Sequence, residues 1–327
     1  MPSHHQHRPL LGLALRVLAA MLVATLFMLG KLLGQRGVSL TETLFWTRSI
    51  TLPMLLSWLW WRRSLPSLAT KRLGSHGFRA ACGMVSMGLN FTAARMLSLS
   101  EFTILSFTAP LFAVIISALY LREHVGIWRW GAVVCGFLGV VLIAGPGDTA
   151  IPLLGGACGL LAALSIALIS FQIRDLGKTE EPICSVFWYA VFGSAFMAVT
   201  LPFVAHGHDP GTWALLLLLG VVGAIGQLLL TASLQYGAVA SVMIVDTTQL
   251  LWAILYGRLV WNEMPPSTLW LGAPLVIAGG LVIAWREYRL SKRNARFGRK
   301  LTDGRYELRG ECAETEAHCA APANPVR

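Results

Sequence analysis

Four side chains able to bind or protonate something recur at helical spacing inside an otherwise apolar run. Asp246, Gln249, Trp252 and Tyr256 all fall within residues 239–260. At 3.6 residues per turn, Asp246, Gln249, Ala253 and Tyr256 share an arc of about 80°, with Trp252 on its flank. The carboxylate offers an anion for a cationic group, or a seat for a coupling proton. The amide offers hydrogen bonds, and the aromatics offer stacking or cation–π contact. A charge at the centre of a bilayer costs about 2.5–3.5 kcal/mol, which favours turning this face to a water-filled cavity. The alternative is that Asp246 lies near the inner interface and pairs with a neighbour to fix helix packing.

Other polar residues interrupt apolar runs. Arg79, Gly83, Ser86 and Asn90 lie on one helical face. Ser86 and Asn90 either bond a solute or join helices directly, as small polar side chains do in membranes. Gln227 and Ser165 are isolated polar points that either line a cavity or pack. Glu101 is expected to pair locally with Arg95, and Thr108 follows it at a spacing of seven. Glu123 and Glu263 sit at helix ends, where a carboxylate accepts bonds from free N–H groups. Both are read as structural, as are Pro110 and Arg48. The six cysteines have no zinc or redox spacing, and His318 beside Cys319 is a weak metal signal. No metal and no cofactor are expected.

These residues must be positioned by membrane helices. The chain is 55% hydrophobic and 13% charged, with mean hydropathy +0.64. A soluble fold cannot hide that much apolar side chain, so the class is an all-α polytopic membrane protein whose apolar surface is covered by lipid. Ten runs are long enough to cross a bilayer. They are spans 1–10, at about 12–34, 42–61, 77–97, 99–121, 128–146, 153–172, 185–204, 212–232, 239–260 and 268–286. The first is too long for a signal h-region and is read as retained. Lys and Arg crowd the tails and the links after spans 2, 4 and 6, which places both termini in the cytoplasm. The net charge of +10 is concentrated after residue 285. It is read as a basic tail, at 287–327, against anionic lipid or simply solvated, and not as a nucleic-acid surface. Residues 1–11 form a short N-terminal tail.

Residues 120–145 and 259–284 repeat at an offset of 140. Glu123 pairs with Glu263, Trp130 with Trp270, Gly139 with Gly279 and Ile143 with Ile283. Each half, 12–146 and 153–286, holds five spans, so the second enters the membrane inverted relative to the first. Inverted repeats of this kind build secondary transporters, with the solute near the midplane between the halves. The glycines of spans 5 and 10 permit close approach, so these spans are expected to be scaffold or homodimer contacts.

At these residues the chain resembles the drug/metabolite transporter superfamily, and within it the EamA-type ten-helix permeases. SLSEFTILSFTAPLFAVIISALYLREHVGIWRWGA, DTTQLLWAILYGRLVWNE and FWTRSI carry the resemblance. It implies two five-helix repeats around a cavity open to one side at a time, carrying a small organic metabolite. By resemblance, candidate solutes are S-adenosylmethionine or riboflavin taken up, and amino acids or drugs expelled. Two features depart from the pattern. Leu250 stands where a counterpart of Pro110 is common, so the resemblance does not carry a kink into span 9. Asp246 lies between Val245 and Thr247 instead of following Pro-Phe, so it carries no substrate either.

The expected function is therefore a permease of the cell inner membrane whose partners are a small solute and the lipid bilayer. An amino-acid-like or heteroaromatic solute suits the acid, amides and aromatics. Two other classes compete. A membrane-embedded enzyme needs converging acid–base or metal groups, and His206, His208 and Asp209 are the only such cluster, in an outer link. No catalytic residue is assigned. A channel needs a ring of charges or a carbonyl filter, and neither is visible.

Overall fold

The computed structural model describes residues 9–63, 65–120, 122, 125–145, 151–177, 179–236, 246–286 and 288–289. The basic tail beyond residue 289, Glu123 and most of the first half of span 9 lie outside them. Residues up to Ala284 form one compact unit. A second begins at Trp285, and within it the Arg289 guanidinium lies 3.9 Å over the Trp285 ring.

Among the described residues the fold is all helix. In chain order the helices are α1 (Pro9–Gln35), α2 (Leu40–Ser49), α3 (Thr51–Trp61), α4 (Leu73–Met96), α5 (Leu99–Ser106), α6 (Ala109–Leu119) and α7 (Ile127–Ala144). The second half continues with α8 (Leu153–Leu176), α9 (Pro182–Val204), α10 (Pro210–Tyr236) and α11 (Thr248–Trp261), then α12 (Ser267–Arg286). Seven segments are long and apolar enough to cross a membrane by length and composition. The other three spans are the broken pair α2–α3, the polar-faced α4 and the span containing α11.

Two spans break for one reason. A proline inside a helix cannot donate to the carbonyl four residues back, and its ring crowds that carbonyl. Pro53 would reach Ser49, the last residue of α2, and Pro110 would reach Ser106, the last residue of α5. Span 9 breaks without a proline. Thr247 interrupts it, and the Leu250 amide donates to the Thr247 carbonyl at 3.2 Å, a tight i→i−3 bond. The break falls 140 residues after Phe107, where span 4 breaks. The irregularity left open by Leu250 is therefore present in the fold.

The repeat is visible in backbone and packing alike. Arg122 (φ 52) and Asn262 (φ 56), again 140 residues apart, both adopt the left-handed conformation uncommon for non-glycine residues. Exchanging each span for the one five later maps the helix contacts onto one another. Helix α1 packs on α10 as α8 packs on α4, and α1 packs on α11 as α8 packs on α5 and α6. Helix α2 packs on α10 as α9 packs on α4, while α2 and α9 pack on each other. Helices α7 and α12 meet backbone to backbone. A Cβ on Gly139 would lie 2.7 Å from the Gly272 carbonyl oxygen, and one on Gly279 would lie 2.7 Å from that of Ala132. The chain is a ten-span protein of two inverted five-helix repeats. Its central core joins both halves, with Phe102, Ile104 and Ile143 packed with Leu250, Leu269 and Val276. Outward apolar residues such as Leu138, Val141, Trp270 and Leu271 are exposed, as a lipid-facing surface requires.

Candidate solute path between the two halves

Helix α1 carries polar groups at four levels, and α11 with its flanks answers each one. At one end Arg16 grips Asp246 with a fork, Nε to Oδ1 at 2.5 Å and Nη2 to Oδ2 at 2.6 Å. Midway, the Thr25 hydroxyl and Tyr256 Oη are 2.9 Å apart. At the other end Lys31 Nζ donates to Glu263 Oε1 at 2.8 Å and to the Leu97 carbonyl at 2.9 Å, and lies 4.8 Å over the Trp261 ring. Trp261 Nε1 donates to Gln35 Oε1 at 2.7 Å. The first three pairs are separated by 230, 231 and 232 residues. A near-constant offset means that α1 and α11 run parallel, as first and ninth spans must.

The α11 arc divides as its periodicity implies. Leu251, Leu255 and Leu259 are exposed, Ala253 and Gly257 are buried, and Gln249, Trp252 and Tyr256 are half-buried at the boundary. Trp252 and Tyr256 have ring centroids 6.3 Å apart. Asp246 is half-buried and ion-paired, so the carboxylate meets a cation supplied by the protein itself. Glu263 likewise serves Lys31, which is 5% exposed. Glu123, its repeat partner, lies outside the described residues.

On α4, Ser86 and Asn90 are buried, and the Asn90 amide donates to the Ser86 carbonyl one turn back at 2.8 Å. Gln227 is half-buried on α10. Ser165 on α8 returns its hydroxyl to the Leu161 carbonyl at 2.8 Å. The expected Glu101–Arg95 pair does not form. Glu101 closes a capping box with Ser98 at the start of α5, a local contact that forms at no long-range cost. Arg95 instead donates to Thr43 Oγ1 at 2.7 Å and to the Gly30 carbonyl at 3.3 Å.

The outer-link cluster also divides. His208 Nε2 lies 2.9 Å from Glu42 Oε1. Asp209 caps α10, accepting from the Thr212 hydroxyl at 2.6 Å and the Thr212 amide at 3.0 Å. Those two bonds hold the Asp209 carboxyl below the ordinary aspartate range. At the opposite end of α9, Glu180 accepts from the Thr70 hydroxyl at 2.7 Å, which lowers its pKa in the same way. His76, Glu180 and Cys184 place ligand-type atoms within 4.8 Å of one another there. The sequence reading did not group them, because they come from two links far apart in the chain.

A second grouping also escaped the sequence reading. Arg48 of α2 and Arg79 of α4 are each 6% exposed. Both lie over the ring of Tyr189 on α9, with guanidinium carbons 4.4 Å and 4.9 Å from its centroid. Arg79 also donates to the Ser185 carbonyl at 3.1 Å. Gly83 admits the ring, since a Cβ there would lie 2.5 Å from a Tyr189 carbon. Hydropathy placed Arg48 and Arg79 at span ends. The available signal was that a charge inside a membrane segment marks function by default.

The sequence model of the EamA-like transporter family matches residues 10–145 and again residues 153–285. The chain belongs to the EamA-like transporter family. Each match covers one of the two packed halves, so this EamA-like chain carries the family unit twice. Among curated relatives, a riboflavin transporter of Vibrio cholerae is 27% identical over 88% of this chain and 97% of its own length. A riboflavin transporter of Rhizobium johnstonii is 31% identical over 58% of this chain and 62% of its own length. A pseudopaline exporter of Pseudomonas aeruginosa is 26% identical over 70% of this chain and 78% of its own. A solved crystal structure covers 86% of this EamA-like chain and 97% of its own at TM-score 0.54 and 17% identity, which shows a shared fold. The protein is a multi-pass membrane transporter.

Proposed function

We propose that this transporter carries a small organic metabolite, amino-acid-like or heteroaromatic, across the cell inner membrane by alternating access. The observation that supports the reading is the polar seam between the halves. Its groups come from α1 of the first repeat and α11 of the second, and ion pairs close it near both ends. Moving one repeat against the other would exchange these pairs for water on one face at a time, with the solute held between. Gln249, Trp252 and Tyr256 form the α11 wall of the path in this reading, with Ser86, Asn90 and Gln227 across from it. Asp246 and Arg16 form a pair that the solute or a proton can exchange. The relatives named for riboflavin and for pseudopaline make a heteroaromatic and a polar amino-acid-like compound the first solutes to test.

Both termini are assigned to the cytoplasm on the charge asymmetry. Reporter fusions after residues 70, 125 and 290 should read cytoplasm and those after 37 and 208 the outer side; two misplaced reporters would refute the assignment. Saturable uptake of riboflavin or a labelled amino acid by proteoliposomes supports a carrier. Flux linear in concentration supports a channel, and conversion of the solute without net flux supports an enzyme.

A further inference from the structure

Arg48 and Arg79 are two buried cations with no anion. Among the described residues no carboxylate oxygen lies within 4 Å of either guanidinium, whereas Arg16, Lys31 and Arg72 each have one. Both Nε atoms are buried without a hydrogen-bond partner. The Tyr189 ring faces both guanidiniums, and a ring quadrupole offsets only part of a buried charge. Buried charges are otherwise paired. The position is also informative. Counting along each helix at 1.5 Å per residue, Arg79, Tyr189 and Arg48 lie about 9–12 Å from the nearer helix end. Helices α2 and α9 are the pair that the repeat symmetry maps onto itself, and α4 packs on α9 beside them. The cations therefore stand on the seam between the repeats, where inverted-repeat carriers hold their solute.

We propose that Arg48, Arg79 and Tyr189 form a binding site for the anionic oxyacid group of the solute, a carboxylate or phosphate that completes the missing pair. This rests on the transporter reading and narrows its substrate class to organic anions and zwitterions. A guanidinium fork presents parallel N–H donors that match the two oxygens of such a group. Arg48 is free to use this geometry, because its one contact among the described side chains of other helices that involves charge is the Tyr189 ring. Arg79 is anchored through the Ser185 carbonyl. Tyr189 keeps both planes in place without neutralising them. The site was read from sequence as a structural arginine at position 48 and an inner-link charge at position 79, and neither reading supplies a counter-ion.

The test compares shape-matched probes on the purified full chain in detergent without added lipid. Benzoate and phenyl phosphate carry the anion, and benzamide is the uncharged match. Titration calorimetry is expected to show saturable binding of at least one anion, at least about tenfold tighter than benzamide. Arg48→Met and Arg79→Met are expected to abolish that preference, and Arg48→Lys to retain part of it. With no probe present the Met variants should unfold at or above the wild-type temperature, because an unpaired charge has been removed. Equal binding of benzoate and benzamide by the wild type overturns the proposal. So does a Met variant that unfolds at lower temperature yet keeps the anion preference. A third contrary result is stabilisation by phosphatidylglycerol vesicles that neither anion displaces, since the counter-ion would then be a lipid headgroup. If a variant does not fold, the wild-type probe comparison still decides. Anion binding without proteoliposome flux leaves the site standing and removes the transporter reading, and flux with no charge preference does the reverse.

Discussion

At the level of single residues, the main result is that the carboxylate in span 9 is balanced by Arg16. The sequence offered two readings of Asp246, a cavity acid or an interface pair, and the fold supplies a partner that each reading must include. Asp246→Asn leaves Arg16, which is 11% exposed, without its anion. Breaking a fully buried pair costs about 3–5 kcal/mol. The Asp246 side chain is 34% exposed, so screening reduces the expected loss to about 1–3 kcal/mol. Adding Arg16→Gln to Asp246→Asn should restore most of it, and a double-mutant cycle on unfolding in micelles measures the coupling. If the double variant then transports at the wild-type rate per folded molecule, the pair is packing alone. If it folds well and transport stays low, the pair belongs to the mechanism. This contact was illegible in the sequence because its partners are 230 residues apart. The periodicity of α11 was legible, and its exposed Leu251, Leu255 and Leu259 fall where the helical spacing puts them.

At the level of helices, turn chemistry explains more than hydropathy does. Hydropathy located the ten spans but drew Arg48 and Arg79 toward their ends, although both side chains are buried among helices. Prolines located two of the three breaks. The third, at Thr247, follows from the repeat, since the second half keeps the bend of span 4 after losing the proline. Leu250→Pro should therefore be tolerated better than Ile254→Pro. Position 250 lies in the first turn of α11, where a missing N–H costs little, whereas an interior proline costs about 3 kcal/mol or more. Comparing their unfolding temperatures checks this; equal losses would place the break elsewhere. The Asp209 cap gives a pH signature. Its carboxyl titrates lower in the folded chain than in the unfolded one. Its contribution is thus full above the unfolded aspartate pKa and is lost as pH falls through that value toward the folded one. Wild-type unfolding temperature should drop more steeply than that of Asp209→Ala between about pH 5 and pH 3. Parallel curves would mean that the cap does not titrate.

For the molecule as a whole, the inverted repeat gives these local features one purpose. Five spans per half, an offset of 140 residues and two left-handed residues at matched positions describe one unit used twice. The two copies share α2 against α9 and α7 against α12 as self-matched contacts. The repeat was readable because Glu, Trp and Gly mark it. The groups facing across the seam were not, because symmetry relates helices and leaves side chains free to differ. The central claim is that the two halves work as a carrier. Counterflow tests it most directly. Proteoliposomes preloaded with unlabelled riboflavin and amino acids are placed in trace labelled counterparts. The account predicts a transient accumulation of at least one labelled species above equilibrium, abolished when an oxidised Lys31→Cys/Glu263→Cys pair locks α1 to the end of α11 and restored on reduction. Label that only approaches equilibrium, at a rate linear in concentration and indifferent to the lock, would contradict it.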